Sequence, residues 1–132
     1  MSVWLWIAAG GAIGAMLRHG TNLLADRFLG KGFPFGTLLV NVIGCLVMGM
    51  LWQWLASYDA ENRPAPAWLP MVRSGIATGL LGALTTFSTF GLQTMLIVQQ
   101  EDYLSAAGNV AANVLLSLLA VFLGAALVRG AL

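Results

Sequence analysis

The sequence predicts an all-α membrane protein with four transmembrane helices per subunit, the third broken mid-membrane. Three observations carry that expectation. Of 132 residues, 59% are hydrophobic and 8% charged, with mean hydropathy +0.85, whereas a soluble domain carries about a quarter charged residues. The charges also divide the chain into apolar intervals, residues 1–17, 32–58, 74–100 and 103–128. The third of these holds Gly75, Gly79 and Gly82 ahead of Thr85-Thr86, a weak stretch of helix at membrane depth. An irregular backbone survives in hydrocarbon only where protein covers it or it lines a polar cavity. The whole chain, 1–132, reads as one integral-membrane domain.

A helix needs about 20 apolar residues to cross the hydrocarbon core, which sets spans near 4–24, 36–57, 72–98 and 104–128. The first requires Arg18 to snorkel or find a partner such as Asp26. Because Arg18 follows the apolar stretch, this segment is expected to be a mature span and not a cleaved signal. Gly30, Gly32 and Pro34 break the chain before the second span. Pro64, Pro66 and Pro70 mark the one sizeable loop, and residues 99–102 form a tight hairpin before the fourth span. Trp4, Trp6, Trp52, Trp54, Trp68 and Tyr103 fall near span ends, where amphipathic rings favour the interface. The intervals are too long, and show too little alternation, for β-barrel strands. Gly10 with Gly14, and Gly75 with Gly79, have the spacing of helix faces in close contact.

Composition also excludes function classes. A net charge of +1 gives no electrostatic basis for binding nucleic acid. Cys45 is alone, so no intrachain disulfide can form, and it reads as a small hydrophobe. There is no Cys-His metal spacing and no enzymatic signature. All five acids, Asp26, Asp59, Glu61, Glu101 and Asp102, fall in loops or at span ends. A small multidrug-type proton-coupled antiporter, the rival of similar size, would need a carboxylate at membrane depth, and the only titratable candidate, His19, sits near a span end.

Four spans place both termini on one side together with Arg63, Arg73 and Arg129, opposite Arg27, Lys31 and, if it snorkels outward, Arg18. Orientation follows the Lys/Arg bias, and here the bias is nearly nil. Insertion both ways, with two opposed copies pairing about an axis in the membrane plane, is the expected consequence. Four short helices cannot surround a polar pathway and also bury their own faces, so an oligomer is needed, most simply a dimer.

The spans carry neutral polar groups. Thr37 and Asn41 share a face of span two; Asn109, Asn113 and Ser117 form an i, i+4, i+8 stripe on span four; span three adds Thr85, Thr86, Ser88, Thr89 and Gln93. A lone Ser or Thr at such depth more often bonds its own helix backbone. Asn41 and Asn113 are better candidates for a site, since an unpaired amide in hydrocarbon is costly and each shares a face with another polar group. Amide N–H and hydroxyl O–H groups can replace the water shell of an anion without trapping it, the compromise conduction requires. Phe87 and Phe90, at i and i+3, are more often plain packing, but their electropositive ring edges can also face an anion.

The run Gly82-Ala83-Leu84-Thr85-Thr86-Phe87-Ser88-Thr89-Phe90 resembles the third-helix signature of the Fluc (CrcB-type) fluoride ion channel family. Gly10-Gly11-Ala12-Ile13-Gly14 with Arg18, and Gly36-Thr37-Leu38-Leu39-Val40-Asn41, resemble its first and second spans. The likeness covers essentially the whole chain, in order. It implies a fluoride-selective passive channel of the bacterial inner membrane, exporting cytoplasmic fluoride to relieve toxicity. It further implies an antiparallel, dual-topology homodimer with two pores and a central structural sodium ion held by backbone carbonyls of Gly82 and Thr85 from both subunits. No organic cofactor is expected. Phe87 and Phe90 would line the fluoride path, with Asn41 near the vestibule and Ser117 and Asn113 on a polar track along span four. Thr37, Ser88, Thr89 and Gln93 complete the candidate path. Family members commonly carry glutamate where this chain has Gln93, which keeps a donor and an acceptor and removes the charge. Arg18 is either a cation at the mouth or an interfacial anchor.

Overall fold

The computed structural model describes residues 2–61 and 64–131. Among them every regular element is a helix. Helix α1 spans Val3–Leu29 and α2 Phe35–Ala60; α3 runs Met71–Leu81 and continues through Gly82–Leu84. Helix α4 is Phe87–Gln99, and α5 runs without interruption through Tyr103–Ala111, Ala112–Leu116 and Ser117–Arg129. Three stretches are long and apolar enough to cross a membrane: Phe35–Ala60, Met71–Gln99 and Tyr103–Arg129. These correspond to the second, third and fourth expected spans. Helix α1 has the length, 27 residues, but Arg18, His19, Asp26 and Arg27 dilute its apolar character. Arg18 also forms no ion pair with Asp26; the ion pair among the described residues is Arg73–Asp59, an exposed one of small energetic weight. Arg63 lies outside the described residues.

The third stretch breaks where its glycine-rich run meets two β-branched residues. Thr85 (ψ 153°) and Thr86 (φ −153°, ψ 117°) are both extended, the conformation their stiff χ1 favours. Upstream of the break, Met71–Leu81 winds in wide π-type turns, and Ala112–Leu116 does the same inside α5. Such segments are rare and collect at functional sites. Neither was expected from the sequence, since no residue pattern distinguishes a π turn from an α turn.

Packing follows the small residues. Helix α1 lies against α3 because Gly10 and Gly14 admit the backbone carbonyls of Gly75 and Leu80, while a Cβ on Gly79 would stand 2.8 Å from Ile7 C=O. Helix α2 meets the second half of α5 the same way: Gly49 faces Val121 C=O and Gly124 faces Leu46 C=O, with no room for a Cβ on either. Between these pairs Val40, Leu81 and Leu84 form a buried core, and Leu55, Leu69 and Val72 a second one at the loop end. There Trp54 stacks on Trp68 at 5.4 Å and Tyr58 meets it edge-on at 5.5 Å. The outer faces are apolar, with Trp4, Phe87, Leu104 and Phe122 among the most exposed residues, as a lipid-facing or subunit-facing surface requires.

Candidate functional site

Breaking a helix inside a membrane orphans backbone groups, and α2 answers the two at the centre. The Asn41 carboxamide accepts the Thr86 N–H at 2.8 Å and returns an N–H to the Thr86 carbonyl at 3.2 Å. The second Asn41 N–H goes to Asn113 Oδ1 at 2.9 Å. Asn113 in turn donates to both the side-chain and main-chain oxygens of Asn109, at 2.9 and 3.2 Å. Asn109, fully buried at 0% exposure, donates to Thr94 Oγ1 at 2.8 Å, and Thr94 donates to Phe90 C=O at 2.8 Å. A single chain of neutral hydrogen bonds therefore ties α2, the break, α4 and α5 together, without one charged group. The Thr86 N–H can only donate and the Thr86 and Asn109 carbonyls can only accept, so the orientation of the Asn41 and Asn113 amides is fixed.

Thr86 also caps α4. Its Oγ1 accepts the Thr89 N–H at 3.2 Å and donates to Thr89 Oγ1 at 3.0 Å, with the Ser88 hydroxyl 3.3 Å away. Thr85 bonds back to Leu81 C=O through both its amide and its hydroxyl, at 3.1 Å each, and its methyl rests against Gly44. These diversions have a consequence for two carbonyls. In a continuous helix Gly82 C=O would receive the Thr86 N–H, and Thr85 C=O the Thr89 N–H. Both amides are spent on side chains instead, on Asn41 and on Thr86. Gly82 lies exposed on the subunit surface and Thr85 is half-buried. Oxygen ligands in this state suit a hard monovalent cation; His, Cys, Asp and Glu form no metal-binding group among the described residues.

A cavity of about 310 Å³ opens beside the break, lined by Asn41, Cys45, Thr85, Thr86, Phe87, Phe90, Asn113 and Ser117, among others. Phe90 is 7% exposed and Phe87 79%. Their rings meet edge-on, 5.3 Å apart at 63°, so one ring is anchored in the subunit and the other stands out from it. Three buried side-chain atoms have no partner among the described residues: Thr37 Oγ1, Ser117 Oγ and Gln93 Oε1. A buried orphan of this kind costs about 1–3 kcal/mol and calls for an explanation. Ser117 lines the cavity at the break. Gln93 lines another, of about 260 Å³, beside Asp26, Lys31 and Gln100 at the opposite end of α4. Thr37, 1% exposed, lines neither, and Arg18, half-buried, lines neither as well.

The structure thus gathers Asn41, Thr85, Phe87, Phe90, Asn113 and Ser117 at one place, puts Ser88 and Thr89 at the cap above it, and separates Gln93 and Thr37 from it. Sequence reasoning under-weighted two residues. Asn109 was visible as the first member of the Asn-Asn-Ser stripe. Thr94 carried no signal, because nothing local distinguishes a threonine that bridges helices from one that bonds its own.

Comparison with known proteins agrees with the motif-level resemblance. The family model described as CrcB-like protein, Camphor Resistance (CrcB), matches residues 5–125. A protein of Shewanella amazonensis named fluoride-specific ion channel FluC is 48% identical over 124 residues, 94% of each chain. Proteins of the same name from Dehalococcoides mccartyi and Aeromonas salmonicida are 47% identical over 121 residues and 43% identical over 128. These alignments cover 92% and 97% of this chain and 88% and 97% of the relatives.

Proposed function

The chain belongs to the CrcB family of ion channels, and on that premise we propose that it is a passive, fluoride-selective channel that exports cytoplasmic fluoride and so relieves its toxicity. The observation that carries this reading is the chemistry of the break: a cavity within an apolar span, lined by Phe87, Phe90 and neutral amide and hydroxyl side chains, with an unpartnered hydroxyl on Ser117. Such a lining can stand in for the water around a small anion, and no fixed cation would hold the ion there. A proton-coupled antiporter lacks support, because every acid of the sequence lies in a loop or at a helix end.

In this reading α1 is the fourth span, its charged end at the interface, and two copies of the chain assemble antiparallel in the bacterial inner membrane. Phe87 stands exposed on the chain, which supports a path completed by a second copy and hence two pores per dimer. The carbonyls of Gly82 and Thr85, both deprived of their helical amides, would hold a structural sodium ion between the subunits. That ion would neutralise carbonyl dipoles that lipid leaves unanswered, while Asn41 and Thr86 hold the surrounding backbone in place.

The deciding experiment is efflux from sealed liposomes, followed with a fluoride electrode under a potential set by a potassium ionophore. Rapid fluoride loss with chloride retained is the expected result. No fluoride release, or chloride release at an equal rate, overturns the reading. Phe87→Ile and Phe90→Ile should each slow efflux about fivefold to tenfold, the equivalent of ~1 kcal/mol of ring-edge interaction, with the dimer intact by size exclusion. Unchanged flux in the double variant would return both rings to simple packing.

A further inference from the structure

Asn41 is the amide best placed to meet an anion in the cavity, yet neither of its N–H groups is free. Its two bonds differ in kind. The contact with Thr86 is reciprocal, with N–H to carbonyl at 3.2 Å and amide to Oδ1 at 2.8 Å, and it closes the helix break. The contact with Asn113 Oδ1, at 2.9 Å, closes nothing in the backbone. Asn113 cannot turn its amide around, because its Nδ2 faces two acceptors of Asn109, at 2.9 and 3.2 Å. Its oxygen is therefore held against Asn41.

We propose that Asn113 Oδ1 is a built-in competitor of the permeating anion, occupying the Asn41 N–H that fluoride must take over, so that Asn113 sets the affinity of the site. This inference rests on the fluoride-channel reading above. A charge-assisted hydrogen bond is about twice as strong as a neutral one, so the ion wins the donor, but only by the difference between the two bonds. Affinity is thereby kept low enough for release. The displaced oxygen is not abandoned. Ser117 lies one turn along α5, lines the same cavity and carries a hydroxyl without a partner, and residues four apart on a helix are neighbours.

The test is Asn113→Ser. A serine hydroxyl at this position can bond the main-chain carbonyl four residues back, that of Asn109, and is too short to reach Asn41. The fluoride concentration giving half-maximal efflux should fall about tenfold, the equivalent of one neutral hydrogen bond that no longer has to be displaced. A purely structural role for Asn113 would leave that concentration unchanged or raise it, and either result overturns the proposal. A second measurement needs no variant: in the wild-type protein, adding fluoride should shift the Asn41 side-chain amide resonances strongly and those of Asn113 less, since the Asn113 N–H groups keep their Asn109 acceptors. Asn41 signals unmoved at saturating fluoride overturn the proposal even if Asn113→Ser fails to assemble. Wild-type protein that passes no fluoride overturns the channel reading itself, whereas a conducting wild type with an unaltered Asn113→Ser half-saturation overturns the competition alone.

Discussion

Asn41 does two things at once. It satisfies a backbone donor and a backbone acceptor of the same residue, Thr86, and still has an N–H to spare for Asn113. Leucine has nearly the same shape and none of these contacts. Asn41→Leu would leave the Thr86 N–H and the Thr86 carbonyl without partners, at about 1–3 kcal/mol for each buried orphan. A loss of about 3 kcal/mol or more is expected, read as a fall in the thermal midpoint of the detergent-solubilised protein. Little or no fall would mean that the break is held by something other than this amide. The asymmetry of Phe87 and Phe90 also belongs to this scale. Equal in the sequence, they differ about tenfold in exposure, 79% against 7%, although residues three apart on a helix share a side. Phe87 is the first residue of α4, at the break, and Phe90 lies one turn further in.

Among the elements, α2 is the backbone of the assembly, since one of its faces carries Asn41 to the break and its later turns lie against α5. That approach depends on Gly49 and Gly124, each against a carbonyl of the opposite helix. Gly49→Val must push α2 and α5 apart, at an overpacking cost of about 1–3 kcal/mol or more, and should also pull Asn41 from Asn113. Reduced yield of folded dimer, with the remaining protein slower in fluoride efflux, is the expected outcome, checked by size exclusion and flux on the same preparation. The start of α5 has its own support. Asp102 Oδ1 accepts the Ser105 N–H at 3.0 Å, and hydrogen bonds from Ser105 hold its carboxyl below the ordinary value of 3.8. Because the folded-state pKa is depressed, this contribution is present above 3.8 and fades as pH falls through the lower folded value. The difference in thermal midpoint between wild type and Asp102→Ala should therefore stay constant over about pH 5 to 8 and shrink only in stronger acid. A difference that varied across the neutral range would assign the pH dependence to another group.

At the scale of the whole molecule, three features find no answer within the single chain. Phe87 stands out from it, large apolar residues cover its outer faces, and the Gly82 and Thr85 carbonyls lack the amides that a continuous helix would give them. An antiparallel partner and a sodium ion, as proposed, would answer all three together. Refolding and assembly in sodium-free buffer, with N-methylglucamine as the only cation, should then lower the dimer fraction and the thermal midpoint, and restoring sodium should recover both. A dimer equally stable without sodium would remove the ion from the proposal and leave the fluoride path untouched.

What the sequence determined alone was what local chemistry can encode. Gaps between charges mark the apolar spans, Thr85-Thr86 after a run of glycines marks the break, and the spacing of Gly10 with Gly14 and of Gly75 with Gly79 marks close helix faces, which the structure pairs with each other. Arg18, Asp26 and Arg27 make α1 less apolar than the other three spans, and Gln93, grouped in the sequence with the candidate path, lines a separate cavity. Only the tertiary structure decided that Asn41, Asn113, Asn109 and Thr94 form one directed chain of hydrogen bonds, that Phe87 and Phe90 take opposite environments, and that Ser117 keeps an unused hydroxyl beside them. The physical reason is the range of the interactions. Periodicity along a helix fixes which face a residue occupies, but a hydrogen bond between residues 41 and 113 depends on how closely two helices approach, and that distance is set by glycines elsewhere in the chain.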